Sequence, residues 1–224
     1  MKRALATTLW LWMAAVIWAA FHWAPLAAGF KGDSSRILFF HVPMAWVSFV
    51  AFMTAGVQSA RYLFGSRTPQ EAQLDRSAAA AVEIGLVFAT LATVTGAIWA
   101  RIMWGSYWNW DPRQSGIVVV LLYYAAYEAL RQAIADEEVR ARLSAAYGVL
   151  GLVVSPFLYF VLPRLGFSLH PEPVINAQGK MEVEARMLTV LLASSFGFTV
   201  LFYWMHSLRC RLGAIAARRL EEEN

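Results

Sequence analysis

The fold is decided by residues 37–60, ILFFHVPMAWVSFVAFMTAGVQSA, which contain no Asp, Glu, Lys or Arg. A helix needs about 20 predominantly apolar residues to cross the hydrocarbon core of a bilayer. Similar stretches occupy residues 4–30, 77–100, 114–130, 143–163 and 187–208, in which Glu83 and Glu128 are the only charged residues. The sequence therefore predicts an all-α integral membrane protein, a bundle of six spanning helices forming one domain over residues 1–224.

The overall composition agrees with a membrane protein. Of the 224 residues, 59% are hydrophobic and 15% are charged, whereas a soluble domain has about 45–50% apolar and about 25% charged residues. The alternating segments of a membrane β-barrel are absent, and so is a phosphate-binding P-loop. The single cysteine, Cys210, excludes an internal disulfide and a C-x-x-C redox pair. A pI near 9.4 can indicate nucleic-acid binding, but here the basic residues flank apolar stretches and indicate topology instead.

The basic residues also predict the orientation. Placing both termini in the cytoplasm puts the larger share of Lys and Arg inside. The first stretch resembles a signal peptide around residues 24–28, but it is longer than a usual apolar signal region, so we expect an uncleaved span. Residues 209–224 form a cytoplasmic tail, expected at the membrane surface. The segments 30–36, 101–116 and 163–186 then lie on the outer face.

Residues 101–116, RIMWGSYWNWDPRQSG, form the loop between the third and fourth spans and are called the Trp loop below. An interfacial aromatic belt explains isolated tryptophans at a membrane edge, but explains this cluster less well. At helical spacing, one face would be shared by Trp104, Tyr107, Trp108 and Asp111. Such a dense aromatic surface suits a large, flat, amphipathic ligand, and Arg113 could bind its carboxylates.

The start of the fourth span is marked by Asp111 and Pro112, a favourable N-cap and first-turn pair.

The four histidines are His22, His41, His170 and His206. His41, near Pro43, and His170 are predicted at the same membrane face as the Trp loop. Imidazole nitrogens bind heme iron, so a histidine pair beside an aromatic surface indicates a heme site. His22 is a reserve candidate, and His206 is expected at the inner end with a structural role.

The run WGSYWNWDPR, residues 104–113, resembles the tryptophan-rich "WWD" signature of the heme-handling proteins of cytochrome c biogenesis. That family places this loop outside, with one histidine before it and one after it, and His41 and His170 match those positions. Six spans in 224 residues are similar to its smallest branch, the heme exporter protein C type. Gln114 and Ser115 depart from the family, which usually has Leu-Thr there.

The resemblance implies a non-enzymatic protein that holds heme b as transient cargo at the periplasmic face of the bacterial inner membrane. His41 and His170 would be its axial ligands. The residues expected to enclose the porphyrin, orient the loop or meet the propionates are Trp104, Gly105, Tyr107, Trp108, Trp110, Asp111, Arg36 and Arg113.

The implied partners are a membrane-anchored periplasmic heme chaperone and an ABC-type complex. That complex has an ATPase, a second membrane subunit and a small single-span subunit; lipids surround the chain, and nucleic acid is not expected. Two alternatives are a redox membrane anchor of the cytochrome b type, which needs several histidines within the bilayer, and a permease for another substrate, which needs polar groups or broken helices near the midplane.

Two charged residues fall within spans. Glu83 is either structural or functional, because a carboxylate in the bilayer is costly. Glu128 is expected to pair with Arg131 at i,i+3 spacing near the inner interface. Pro156 is expected to kink the fifth span.

Overall fold

The computed structural model describes residues 2–65, 71–170 and 183–223. Within these ranges all regular structure is helical, which confirms the predicted all-α fold. The six α-helices are α1 (Lys2–His22), α2 (Leu38–Phe64), α3 (Glu71–Trp104), α4 (Pro112–Ala133), α5 (Glu137–Pro156) and α6 (Ala185–Glu223). A 3-10 helix, Gly32–Ile37, precedes α2.

Five of these helices are long and apolar enough to cross a membrane by length and composition. The remaining helix, α4, carries three tyrosines together with Glu128 and Arg131, and these polar groups lower its average hydropathy. Its core-facing side is nevertheless fully packed, since Val120, Tyr124 and Tyr127 are each only 1% exposed. The prediction of six helices is therefore confirmed, while α4 is the one that does not meet the length and composition expected of a span.

Successive helices alternate in direction, so the bundle has two distinct ends. One end holds the termini of α3 and α4 that the Trp loop joins, and is called the Trp-loop end. The opposite end holds Arg61, Arg131 and Arg140 near helix termini and Arg209 within α6, and is called the basic end. There α6 continues as one helix to Glu223, so the described part of the segment predicted as a tail from residue 209 is helical and continuous with the sixth helix.

Helix α2 lies at the centre and contacts α3, α5 and α6. The Phe52 ring stacks on Tyr124 of α4 with centroids 3.6 Å apart. Gly85 of α3 faces the same phenylalanine so closely that a Cβ there would lie 2.6 Å from its ring. Small residues such as Gly85 thus allow helices to approach closely. In a membrane this close packing matters because the hydrophobic effect does not drive helices together.

Pro43 is buried in the first part of α2, and the helix continues through it. Proline has no N–H, so the carbonyl oxygen of Phe39, four residues earlier, loses its usual helical donor. The hydroxyl of Ser194 on α6 donates a hydrogen bond to this carbonyl. This bond ties α6 to the turn of α2 that carries His41.

The α-helical geometry of α5 ends at Pro156, as its proline predicts. A π-helical turn, Phe157–Val161, and a 3-10 turn, Leu162–Arg164, follow. The chain thereby changes its winding just before it reaches the loop that carries His170.

Charged side chains at the basic end pair between helices. Arg131 of α4 donates to both carboxylate oxygens of Asp75 on α3, at 2.6 and 2.9 Å. Arg209 of α6 does the same to Glu83, at 2.6 and 2.9 Å. The predicted Glu128–Arg131 pair is therefore wrong, because Arg131 reaches a carboxylate on a neighbouring helix instead. Glu83 bridges two helices near the basic end, which is the structural alternative considered for it.

Candidate functional site

The Trp loop begins where α3 ends, at Trp104. Gly105 follows with a φ of +82°, the left-handed conformation that glycine adopts readily after a helix. Residues 105–111 have no helical structure. The expectation that Trp104, Tyr107 and Trp108 share a helical face is therefore wrong, because the left-handed residue turns the chain away from the helix axis.

Asp111 joins the Trp loop to the segment that carries His170. Its side chain is buried, and one oxygen accepts a hydrogen bond from the backbone N–H of Arg113, 2.9 Å away, as the predicted N-cap of α4. The other oxygen accepts from the hydroxyl of Ser168 and from the N–H of Leu169, each at 2.8 Å. Hydrogen bonds to a carboxylate are stronger than neutral ones, so a single residue fixes two loops against each other.

Gln114 holds the backbone of the loop from the first turn of α4. Its side-chain oxygen accepts from the N–H of Asn109 at 2.8 Å, and its amide nitrogen donates to the carbonyl of Tyr107 at 3.2 Å. The hydroxyl of Ser115 donates to the carbonyl of Trp110 at 3.3 Å. The two residues at which the sequence departs from the resembled family are therefore those that bind the loop backbone.

The loop aromatics adopt two kinds of position. Trp104 packs inward against Trp99 of α3, with ring centroids 5.0 Å apart. Trp108 and Trp110 contact each other edge to face at 5.9 Å, and Trp110 is 74% exposed. The backbone of Trp110 has a φ of +54°, which is uncommon for a bulky residue. Tyr107 is also exposed and lies beside the guanidinium of Arg101, 5.8 Å from its ring centroid.

Trp99 connects the loop aromatics to His170. Its buried ring lies 5.6 Å from the His170 imidazole and 5.9 Å from Phe30, measured between centroids. Sequence reasoning missed Trp99, because a tryptophan near the outer end of an apolar stretch has the pattern of an ordinary interfacial residue. The available sequence signal was that Trp99 lies five residues before Trp104, close to the tryptophan cluster.

His41 of α2 packs against α3, the helix that carries Trp99. Its Nδ1 atom is 3.1 Å from the hydroxyl oxygen of Thr95. Both His170 and Arg113 lie within electrostatic range of the His41 ring. The structure thus brings His41, His170, Arg113 and the Trp loop to one end of the bundle.

The remaining predicted candidates make other contacts. Arg36 donates to the carbonyls of Ala20 and Ala24 at the end of α1 and pairs with Asp33. His22 is exposed and lies beside Trp18. His206 is at the basic end, as predicted, where its Nε2 lies 2.9 Å from the carbonyl oxygen of Ser77. Of the segment 163–186, predicted as the third outer loop, residues 171–182 lie outside the described residues.

These features define a class of protein: an all-helical, multi-pass membrane protein with a histidine pair and a tryptophan-rich loop at one end of its bundle. Residues 1–224 match the model of one family, heme exporter protein C. The chain belongs to this family.

Its relatives include bacterial proteins of the same name. Heme exporter protein C of Bradyrhizobium diazoefficiens is 33% identical over 176 residues, which are 79% of this chain and 65% of that protein. The Rhodobacter capsulatus protein is 30% identical over 97% of this chain and 87% of its own length. That of Escherichia coli K12 is 29% identical over 92% of this chain and 77% of its own length. The chain thus spans slightly less than two thirds of the first of these relatives.

Proposed function

We propose that this protein binds heme at the Trp-loop end and presents it to a periplasmic heme chaperone during c-type cytochrome biogenesis. The observation that carries the proposal is the meeting of His41 and His170 with Trp99 and the Trp loop. Two imidazoles can supply both axial ligands of a heme iron. The relatives named heme exporter protein C support heme as the cargo.

The arrangement of polar and apolar groups fits a flat cargo that must later leave. Trp110 and Tyr107 expose aromatic faces on which a porphyrin can stack. Arg113, close to His41, is the nearest candidate for a heme propionate. The aromatic contacts are non-covalent and lie at the rim of the bundle, so an edge of the cargo stays accessible to a partner. Arg36 would bind a propionate only by giving up contacts at the end of α1.

We further propose that the chain acts in the bacterial inner membrane, with the Trp-loop end in the periplasm. Its proposed partners are a membrane-anchored heme chaperone and an ABC-type complex with a separate ATPase, a second membrane subunit and a small single-span subunit. In this role the chain binds and releases heme b and catalyses no bond change itself.

The test is purification in mild detergent followed by an absorption spectrum and a heme titration. We expect a Soret band that is lost or strongly reduced in His41→Ala and in His170→Ala. The chain supplies matched controls: His22→Ala, on an exposed turn of α1, and His206→Ala, at the basic end, should keep it. A protein that stays heme-free after reconstitution would refute the proposal.

Loss of the Soret band in His22→Ala, with His41→Ala unchanged, would replace the ligand assignment while leaving heme binding in place. For presentation, Trp108→Ala combined with Trp110→Ala should reduce transfer of heme to the chaperone in a complementation assay. Unchanged transfer would show that the aromatic rings of the loop are not needed for delivery.

A further inference from the structure

The His41 ring is held by two consecutive residues of α3. The hydroxyl oxygen of Thr95 lies 3.1 Å from Nδ1. The next residue, Gly96, faces the Cε1 edge of the ring, and a Cβ at that position would lie 2.9 Å from Cε1, 3.5 Å from Nδ1 and 3.7 Å from Nε2. One residue therefore contacts a particular nitrogen, and the other leaves just enough space for the ring.

The hydrogen bonds around Thr95 decide which ring nitrogen carries the proton. The hydroxyl oxygen lies 2.8 Å from the carbonyl oxygen of Leu91 and 3.1 Å from that of Ala92. Carbonyl oxygens only accept hydrogen bonds, and a hydroxyl has a single proton to donate. The threonine proton therefore points to the helix backbone, as is usual for threonine in a helix. What the hydroxyl offers to His41 is a lone pair.

A neutral imidazole carries one ring proton, and the Thr95 oxygen, which offers a lone pair 3.1 Å from Nδ1, can accept a hydrogen bond from that nitrogen. The ring proton is then on Nδ1, which leaves the lone pair on Nε2.

We propose that Thr95 is a positioning residue that holds His41 as the Nδ1–H tautomer, so that Nε2 is the atom presented to heme iron. The proposal rests on the function proposed above, in which His41 is an axial ligand. Histidines that ligate metals usually donate their second ring N–H to an acceptor, which fixes the tautomer and makes the ligating nitrogen more basic. Gly96 leaves space for the ring, and Thr95 determines which ring nitrogen carries the proton.

The experiment compares Thr95→Val, Thr95→Ser and Thr93→Val in the full-length protein, purified in detergent and titrated with heme. Valine keeps the shape of threonine without the acceptor, and serine retains the hydroxyl. Thr93 is the matched control, because its hydroxyl makes the same backbone bond, to Ala89 at 2.8 Å, on the same helix. Two properties are measured: the heme dissociation constant and the reduction potential of the bound heme.

We expect Thr95→Val to raise the dissociation constant about tenfold, the lower end of the effect of removing such a partner. The reduction potential should rise too, because a less basic imidazole stabilises ferric iron less. Thr95→Ser should restore both values, and Thr93→Val should change neither. A merely structural role for Thr95 would lower protein yield without moving the potential of the heme that remains bound. If the valine variant does not accumulate, Thr95→Ala is measured in the same way.

The outcomes separate this inference from the function on which it rests. If His41→Ala abolishes the Soret band and Thr95→Val matches the unaltered protein in both measurements, the positioning role is refuted while the heme site remains. If Thr93→Val shifts the potential as much as Thr95→Val, the effect belongs to the helix and the role is again refuted. If His41→Ala keeps the full Soret band, the ligand assignment itself fails.

Discussion

The two ends of the bundle use their polar side chains in different ways. At the basic end, side chains bind one another or a neighbouring helix: Arg131 with Asp75, Arg209 with Glu83, and His206 with the backbone of Ser77. Each of these contacts joins two helices. The polar side chains named here therefore link the helices of the basic end to one another.

At the Trp-loop end, two polar side chains of the site bind the backbone of loops instead. Asp111 and Gln114 together hold the Trp loop to α4 and to the segment of His170. Some of the aromatic rings carried by these loops are exposed, among them Trp110 at 74% and Phe167 at 86%. This difference supports the proposal that the basic end stabilises the bundle and the Trp-loop end binds the cargo.

The largest effect is expected at the basic end, from Arg131→Met. The Arg131–Asp75 pair is mostly buried, with side chains 14% and 13% exposed, so the variant leaves an unpaired carboxylate between helices. Removing one partner of a buried pair costs about 3–5 kcal/mol. Chemical unfolding in detergent, followed by circular dichroism, should show this loss, while the heme dissociation constant of the folded fraction should stay within about twofold.

The matched control is Arg142→Met, at the same end. Its pair with Glu138 is exposed at 57% and 71%, so its loss should cost less than about 1 kcal/mol. Equal destabilisation by both arginine variants would contradict the importance given to the interhelical pair. A large loss of heme affinity in Arg131→Met would contradict the division between the two ends.

The second effect is expected from Asp111→Asn. Asparagine is as good an N-cap as aspartate, so α4 should keep its start. The amide lacks the negative charge that two donors, Ser168 Oγ and Leu169 N, now share. A hydrogen bond to a charged group contributes about 1.5–3 kcal/mol, and about 1.4 kcal/mol corresponds to a tenfold change in affinity. We expect heme affinity, measured by titration, to fall at least tenfold.

Asp136→Asn is the control for Asp111→Asn. Asp136 caps α5 at the basic end in the same manner, accepting from the N–H of Val139 at 2.8 Å, but it joins no second loop among the described residues. This variant should leave heme affinity unchanged. A similar loss of affinity in both variants would mean that the charge at the helix N-terminus, and not the link to the His170 segment, explains the result.

A smaller effect is expected from Gln114→Leu, which restores the apolar residue typical of the resembled family. The variant removes two bonds to the loop backbone, each contributing about 1 kcal/mol. Amide hydrogen exchange at residues 105–111 should become faster, and the heme dissociation constant should rise by about three- to tenfold. Gln132→Leu, on the exposed far end of the same helix, should change neither. Unaltered exchange in Gln114→Leu would show that the loop keeps its shape without the clamp.

The sequence predicted the helices well because their signal is local. Uncharged stretches fix where spans lie, and Asp111 followed by Pro112 fixes where α4 begins. The placement of His41 and His170 at one end also follows from counting spans, since successive spans alternate in direction. Each of these predictions depends on neighbours in the sequence or on the alternating direction of successive helices.

The incorrect or missed assignments concern residues whose role depends on the folded structure. Arg131 binds Asp75, 56 positions away in the chain, rather than Glu128 one turn before it. The aromatic residues of the Trp loop were assigned helical spacing, although Gly105 is a recognisable helix stop. Trp99 was missed because its importance comes from His170, which the fold of a distant loop brings beside it. Thr95 was missed for the same reason, since its role depends on His41 of another helix.

The smallest effect is expected from Glu83→Gln, although a carboxylate within a predicted span indicates function by default. Glu83 and Arg209 form a well-aligned pair, but their side chains are 38% and 48% exposed. A pair that remains accessible contributes about 1 kcal/mol or less. Stability should therefore fall by no more than that, as measured by chemical unfolding in detergent, and heme affinity should not change.

Glu83→Gln also decides how far the comparison between the two ends extends. Arg209→Gln removes the other partner of the same pair, so both variants should lose the same small stability if the pair acts only as a link between α3 and α6. A drop in heme loading in Glu83→Gln that Arg209→Gln does not reproduce would give the carboxylate a role of its own. The basic end would then take part in handling the cargo, and its ion pairs between helices could no longer be regarded as purely structural.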